Sequence, residues 1–87
     1  MTSYQVQVRI VPREGILDPQ GKAVGGALRS LGFDGVEDVH VGRFITLSLN
    51  AESPRDAQEA ALAMCRQLLA NPVTEDFDVR VGELAPT

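Results

Sequence analysis

Asp38-Val39-His40-Val41-Gly42 returns 40 residues later as Asp78-Val79-Arg80-Val81-Gly82, and Leu28 and Leu68 stand at the same offset before them. The repeat is weak, but its length is that of one strand–helix–strand unit. Two such units in tandem give βαββαβ, the order of an α+β, ferredoxin-like two-layer sandwich with a four-stranded antiparallel sheet. Outward from the repeat, Val6, Val8 and Ile10 alternate with Gln5, Gln7 and Arg9. This period of two marks a strand over 4–11 that is buried on one face. A connection at 15–17 comes next. Asp18 then suits a helix N-cap, with Pro19 at the first helical position, where its missing N–H costs nothing.

Ala23, Val24, Ala27, Leu28 and Leu31 make the apolar stripe of that first helix, and Gly32 is a natural stop. The pattern predicts strands over 36–41 and 44–50, turning at Gly42-Arg43, with Val39, Val41, Ile45, Leu47 and Leu49 inward. Ser53 and Pro54 open a second helix, whose stripe is Ala57, Ala60, Ala61, Met64 and Leu68. It ends by Ala70, because Asn71 precedes a proline and is pushed toward extended geometry. A last strand is predicted over 76–84, with Phe77, Val79 and Val81 inward and the 85–87 tail frayed. Both helices are expected on one face of the sheet. The open face would carry Gln5, Gln7, Arg9, Asp38, His40, Thr46, Ser48, Asp78 and Arg80. It could stay wet or pack on another sheet, and the sheet edges could pair between chains.

With 87 residues the chain has room for one domain, 1–87, with a thin stability margin. Assembly with other chains is the usual remedy when no staple is present. Cys65 is the only cysteine and His40 the only histidine, so neither an internal disulfide nor a multi-thiolate or histidine-based metal cluster is expected. The net charge is −4, from 12 acidic and 8 basic residues, which argues against nucleic-acid binding. No apolar run reaches membrane-spanning length and the start lacks a signal pattern, so a cytoplasmic location, away from any membrane, is expected.

Asp18-Pro19-Gln20-Gly21 is completely explained as a helix start; the functional alternative is a surface that meets a partner subunit or a nucleotide through the helix N-terminus. Gly21, Gly25 and Gly26 each cost about 1 kcal/mol inside a helix relative to Ala, which suggests that another backbone packs closely there. Asn71-Pro72 and Glu75-Asp76 read as a helix stop and then solvated acids. The two acids, adjacent at the start of a strand, should point in opposite directions and are poorly placed for shared acid–base or magnesium chemistry. His40 has no nucleophile at a fixed spacing and reads as a residue of the polar sheet face. Cys65 reads as a small buried or half-buried hydrophobe. Arg13 and Lys22 are too scattered to make an anion site. No phosphate-binding glycine loop or nucleophile elbow is present, and no catalytic residue is expected in this chain.

Three separated stretches carry a family resemblance: Leu17-Asp18-Pro19-Gln20-Gly21, the middle segment Val36-Glu37-Asp38-Val39-His40-Val41-Gly42-Arg43-Phe44, and the run from Met64 through Asn71-Pro72 to Glu75-Asp76. In order and spacing, over residues 4–84, they resemble the PurS family, small subunits of phosphoribosylformylglycinamidine synthase in purine biosynthesis. The resemblance implies a non-catalytic subunit, a homodimer or tetramer, that bridges a large ATP-using synthase subunit (PurL) and a glutaminase subunit (PurQ) and helps ammonia pass between them. It implies no cofactor in this chain, with ATP and Mg used by the complex. It makes Asp18, Pro19, Gln20, Gly21, Asn71, Pro72, Glu75 and Asp76 candidates for subunit contact. His40 stands where the family more often has arginine, and Thr74 where it has isoleucine; each could alter a surface contact.

A second reading of the same element order is an ACT-like regulatory module that binds a small ligand between paired domains, with Gly15 in the first loop. A metal chaperone of this fold would need a second cysteine.

Overall fold

The computed structural model describes residues 1–83. Strand β1 (Thr2–Pro12) is followed by helix α1 (Pro19–Ser30), strand β2 (Arg43–Ala51), helix α2 (Pro54–Met64), a π-helical turn (Cys65–Leu69) and strand β3 (Glu75–Glu83). The sheet is antiparallel with order β2-β1-β3. On one face the rungs are apolar: Val6 stands between Leu47 and Val81, and Val8 between Ile45 and Val79. The other face is polar, with Gln7 between Thr46 and Arg80. The apolar side chains of β1 are fully covered, while Ile45, Leu47 and Leu49 of β2 and Phe77, Val79 and Val81 of β3 are only partly buried.

The caps agree with the sequence. The Gly21 N–H donates to Asp18 Oδ1 at 2.9 Å, and the Asp56 N–H to Ser53 Oγ at 3.1 Å. Gly32 ends the first helical segment with φ +100°, a conformation that side chains with a Cβ resist. α2 lays Ala57, Ala61 and Cys65 against the sheet, and these small side chains let its backbone come close.

Three expectations are corrected. Residues 36–41 are not a strand, and the sheet has three strands among the described residues, not four. The backbone groups that a hairpin with β2 would need are engaged by α1 instead. Val41 N–H donates to the Asp18 carboxylate, the Val39 carbonyl sits against Gly21, and the Arg29 guanidinium donates to the Val36 carbonyl at 3.2 Å. The segment is thus an extended strap along α1, so Asp38 and His40 are absent from the polar sheet face.

The second correction is a result of the first. α1 does not cover the sheet beside α2; it makes no extensive contact with sheet or α2 and stands off as an arm with its strap. Its stripe is uncovered, with Val24 42 % and Leu31 74 % exposed. Gly21 and Gly25 are its buried positions, and both face the strap.

The third concerns the end of helix two. There the Ala70 N–H donates to the Cys65 carbonyl, five residues back, which widens the turn and rotates the side chains around it. Leu68, expected inward, is 83 % exposed, and Leu69 packs on the core instead. The predicted positions 84–87 lie outside the described residues.

Candidate functional site: two motifs around one crevice

Asp18 is the hub of the first motif. Its Oδ1 caps α1 through Gly21, and its Oδ2 accepts from Val41 N–H at 2.9 Å, fastening the strap to the helix start. His40 Nδ1 lies 3.6 Å from the same Oδ2, and the Asp18 side chain is only 10 % exposed. The N–H groups of Gly21 and then Val41 hold this carboxyl below the ordinary carboxylate range, with His40 adding a smaller pull against the opposing effect of burial. Gly21 has no room for a Cβ, which would run into the Val39 carbonyl oxygen and the Asp18 carboxylate. Pro19 and Gln20 are exposed.

The second motif is a tied loop. Asn71 Oδ1 accepts from Val73 N–H at 3.0 Å, and Glu75 N–H donates to the Asn71 carbonyl at 2.8 Å. Glu75 Oε1 accepts from Asn71 N–H at 2.8 Å and from the Arg43 guanidinium at 2.7 Å. Arg13 donates to the Pro72 carbonyl at 2.6 Å, and its Nε lies 3.2 Å from Asp76 Oδ1. Glu75 and Asp76 therefore answer to different arginines and share no site, as their adjacency in a strand predicts. Arg13 and Arg43 bind this loop across long sequence separations, and nothing in the local pattern points to either role.

The two motifs meet. Asp18, Pro19 and Gln20 from the arm, with Thr74 and Glu75 from the start of β3, line an open crevice of about 310 Å³ closed behind by Pro12, Ile16, Leu17 and Val41. Gly21, Asn71, Pro72 and Asp76 do not line it. A larger groove of about 630 Å³ runs between α1 and the strap, past Lys22, Arg29 and His40. Among the described residues no cluster of three His, Cys, Asp or Glu side chains is placed to hold a metal ion.

Known proteins share this fold along nearly the whole chain. The family described as PurS, phosphoribosylformylglycinamidine (FGAM) synthase, matches residues 5–83. The phosphoribosylformylglycinamidine synthase subunit PurS of Bacillus subtilis is 41 % identical over 81 residues, covering 93 % of this chain and 95 % of the relative. Among solved structures, Thermus thermophilus PurS superposes with TM-score 0.81 at 44 % identity, covering 95 % of this chain and 99 % of that one. A chain in the structure of PurLQS from Thermotoga maritima gives TM-score 0.84 at 30 % identity, covering 93 % of this chain and 99 % of its own. With the family matched over residues 5–83 and relatives similar along nearly the full length, the ACT-like reading falls away: the chain belongs to the PurS family of phosphoribosylformylglycinamidine synthase subunits.

Proposed function

We propose that this chain is the small, non-catalytic subunit of a cytoplasmic FGAM synthase in purine biosynthesis. It bridges the glutaminase subunit and the large ATP-dependent subunit, and it shelters ammonia in transit between them. ATP and Mg are handled by the large subunit. Free ammonia in neutral water is largely protonated and loses its nucleophilic lone pair, so a protein wall between the two active sites serves the chemistry without performing any.

The observation that carries the reading is the convergence of Asp18-Pro19-Gln20 and Thr74-Glu75 on one crevice, in a chain similar throughout to the subunit found in PurLQS. A rigid rim with exposed side chains suits a docking edge, since little order has to be imposed when a partner arrives. Asp18 and Glu75 shape that rim, with Gly21 and Asn71 bonded behind them; Pro19 and Gln20 present exposed groups at it, and Pro72 and Asp76 are contact candidates on the neighbouring tied loop.

The test is glutamine-dependent FGAM formation by the large and glutaminase subunits with and without this chain. Activity that requires the chain supports the reading. Equal activity without it, together with failure of the three proteins to co-elute, overturns it.

A further inference from the structure

Two kinds of surface meet in the crevice of about 310 Å³ between the arm and the sheet. Part of its wall is apolar. Ile16 and Leu17 line it and are 39 % and 69 % exposed, so the single chain leaves them uncovered. The rest offers acceptors: the carboxylates of Asp18 and Glu75, the Thr74 hydroxyl and the Gln20 amide. Among the described residues no lysine, arginine or histidine lines the crevice. The larger groove along α1 differs in this respect, because Lys22 and Arg29 face Glu14, Glu37 and Asp38 there and select no one sign of charge.

The two carboxylates are served from outside the crevice. Arg43 reaches Glu75 and His40 stands by Asp18, yet neither lines it. Both hydrogen bonds to the Glu75 carboxylate end on Oε1, from Asn71 N–H and from Arg43, which leaves Oε2 as an acceptor. The Glu75 side chain is 21 % exposed and that of Asp18 10 %. Charges so far withdrawn from water attract a counter-charge more strongly than an exposed surface pair does. Their own desolvation is already offset by the bonds that hold them in the fold.

We propose that the crevice receives one long basic side chain, a lysine or arginine carried by a partner subunit of the synthase. Its methylenes would lie on Ile16 and Leu17, and its cationic head would donate to Glu75, with Asp18, Thr74 and Gln20 in support. An acidic side chain would meet two carboxylates, and an apolar one would cover acceptors without pairing them. The chain's net charge of −4 favours the approach of a basic surface in the same sense. This inference rests on the synthase reading and names the chemistry by which that partner is held.

The experiment swaps charge at Gln20, which is exposed and makes none of the bonds described above. Full-length Gln20→Lys and Gln20→Glu chains are titrated, beside the wild type, into the large and glutaminase subunits. Glutamine-dependent activity gives the half-saturating concentration of each. At about 0.15 M salt, charges more than ~8 Å apart are largely screened, so the readout is local to the crevice. The expected result is a half-saturating concentration at least tenfold higher for Gln20→Lys than for Gln20→Glu, with Gln20→Glu no weaker than the wild type. A smaller ratio, the reverse order, or equal weakening by both substitutions overturns the proposal, since the crevice would then be filled without regard to charge. A wild-type chain that activates while the variants match it strikes this inference alone. Activity that never depends on the chain strikes the synthase reading and this inference together.

Discussion

Asp18 Oδ2 accepts the Val41 N–H at 2.9 Å across 23 residues of chain, while Oδ1 of the same carboxylate caps α1 through Gly21. One side chain therefore decides both where the helix starts and where the strap lies. Asp18→Ala should lower the melting temperature by more than Asp18→Asn, whose single side-chain oxygen can still serve one of the two donors. Far-UV circular dichroism melts of the two variants provide the comparison. Because its pKa is lowered in the folded chain by those two N–H groups, Asp18 contributes stability that is complete above its unfolded value, near pH 3.9, and is lost as pH falls through the lower folded value. The wild-type urea midpoint should fall along this acid limb, and Asp18→Asn should flatten it. An unchanged limb in Asp18→Asn would assign the acid sensitivity elsewhere.

Gly21 and Gly26 separate propensity from packing. A Cβ at Gly21 meets the Val39 carbonyl, whereas at Gly26 nothing lies within 4 Å. Gly26→Ala should stabilise by up to about 1 kcal/mol through helix propensity. Gly21→Ala gains the same propensity but must push the strap aside, and a net loss of about 1–3 kcal/mol is expected from such overpacking. Denaturant melts of both variants decide it; equal stabilisation would mean that the strap yields freely.

Gln20 and Glu75 should divide contact from architecture. Gln20 is exposed, so Gln20→Ala should leave the melting temperature of the isolated chain unchanged while weakening reconstituted synthase activity. Glu75 holds Asn71 N–H and Arg43, and its side chain is 21 % exposed. Glu75→Ala should cost about 1 kcal/mol of stability as well as activity. Full activity in both variants would remove the crevice rim from the docking surface.

Cys65 should be silent to thiol reagents. It is fully buried in the π-helical turn, and burial pushes its thiol pKa up. Labelling by an aromatic disulfide should proceed only as fast as the chain opens, and denaturant should restore the full rate. Since the unfolded thiol ionises first, stability should decline as pH rises past about 8.5. Rapid labelling of the native protein would contradict this placement.

Much of this architecture is legible in the residues. Asp18-Pro19 and Ser53-Pro54 announce both helix starts, because a cap oxygen followed by a proline serves few other purposes. The alternation in β1 fixes its buried face. What escapes is whatever depends on a distant partner. Residues 36–41 have strand periodicity, yet their N–H and carbonyl groups are claimed by Asp18, Gly21 and Arg29 in the arm. The stripe on α1 is real, but a period of 3.6 says only that a face is apolar, not which surface covers it. The widened turn at Cys65 moves the inward position from Leu68 to Leu69 with no local signal at all. At the candidate site the motif residues are visible in sequence, while Arg13 and Arg43, which tie the loop down, are not.

The crevice has one wall on the arm, at Asp18, Pro19 and Gln20, and the other on the sheet, at Thr74 and Glu75. A partner that wedges into it would touch arm and sheet at once, so a variant that shifts the arm would also change the fit of the rim. By reciprocity, a partner bound there would resist displacement of the arm from the sheet. The cleft is in effect a seam, and whatever fills it would grip both of its sides together.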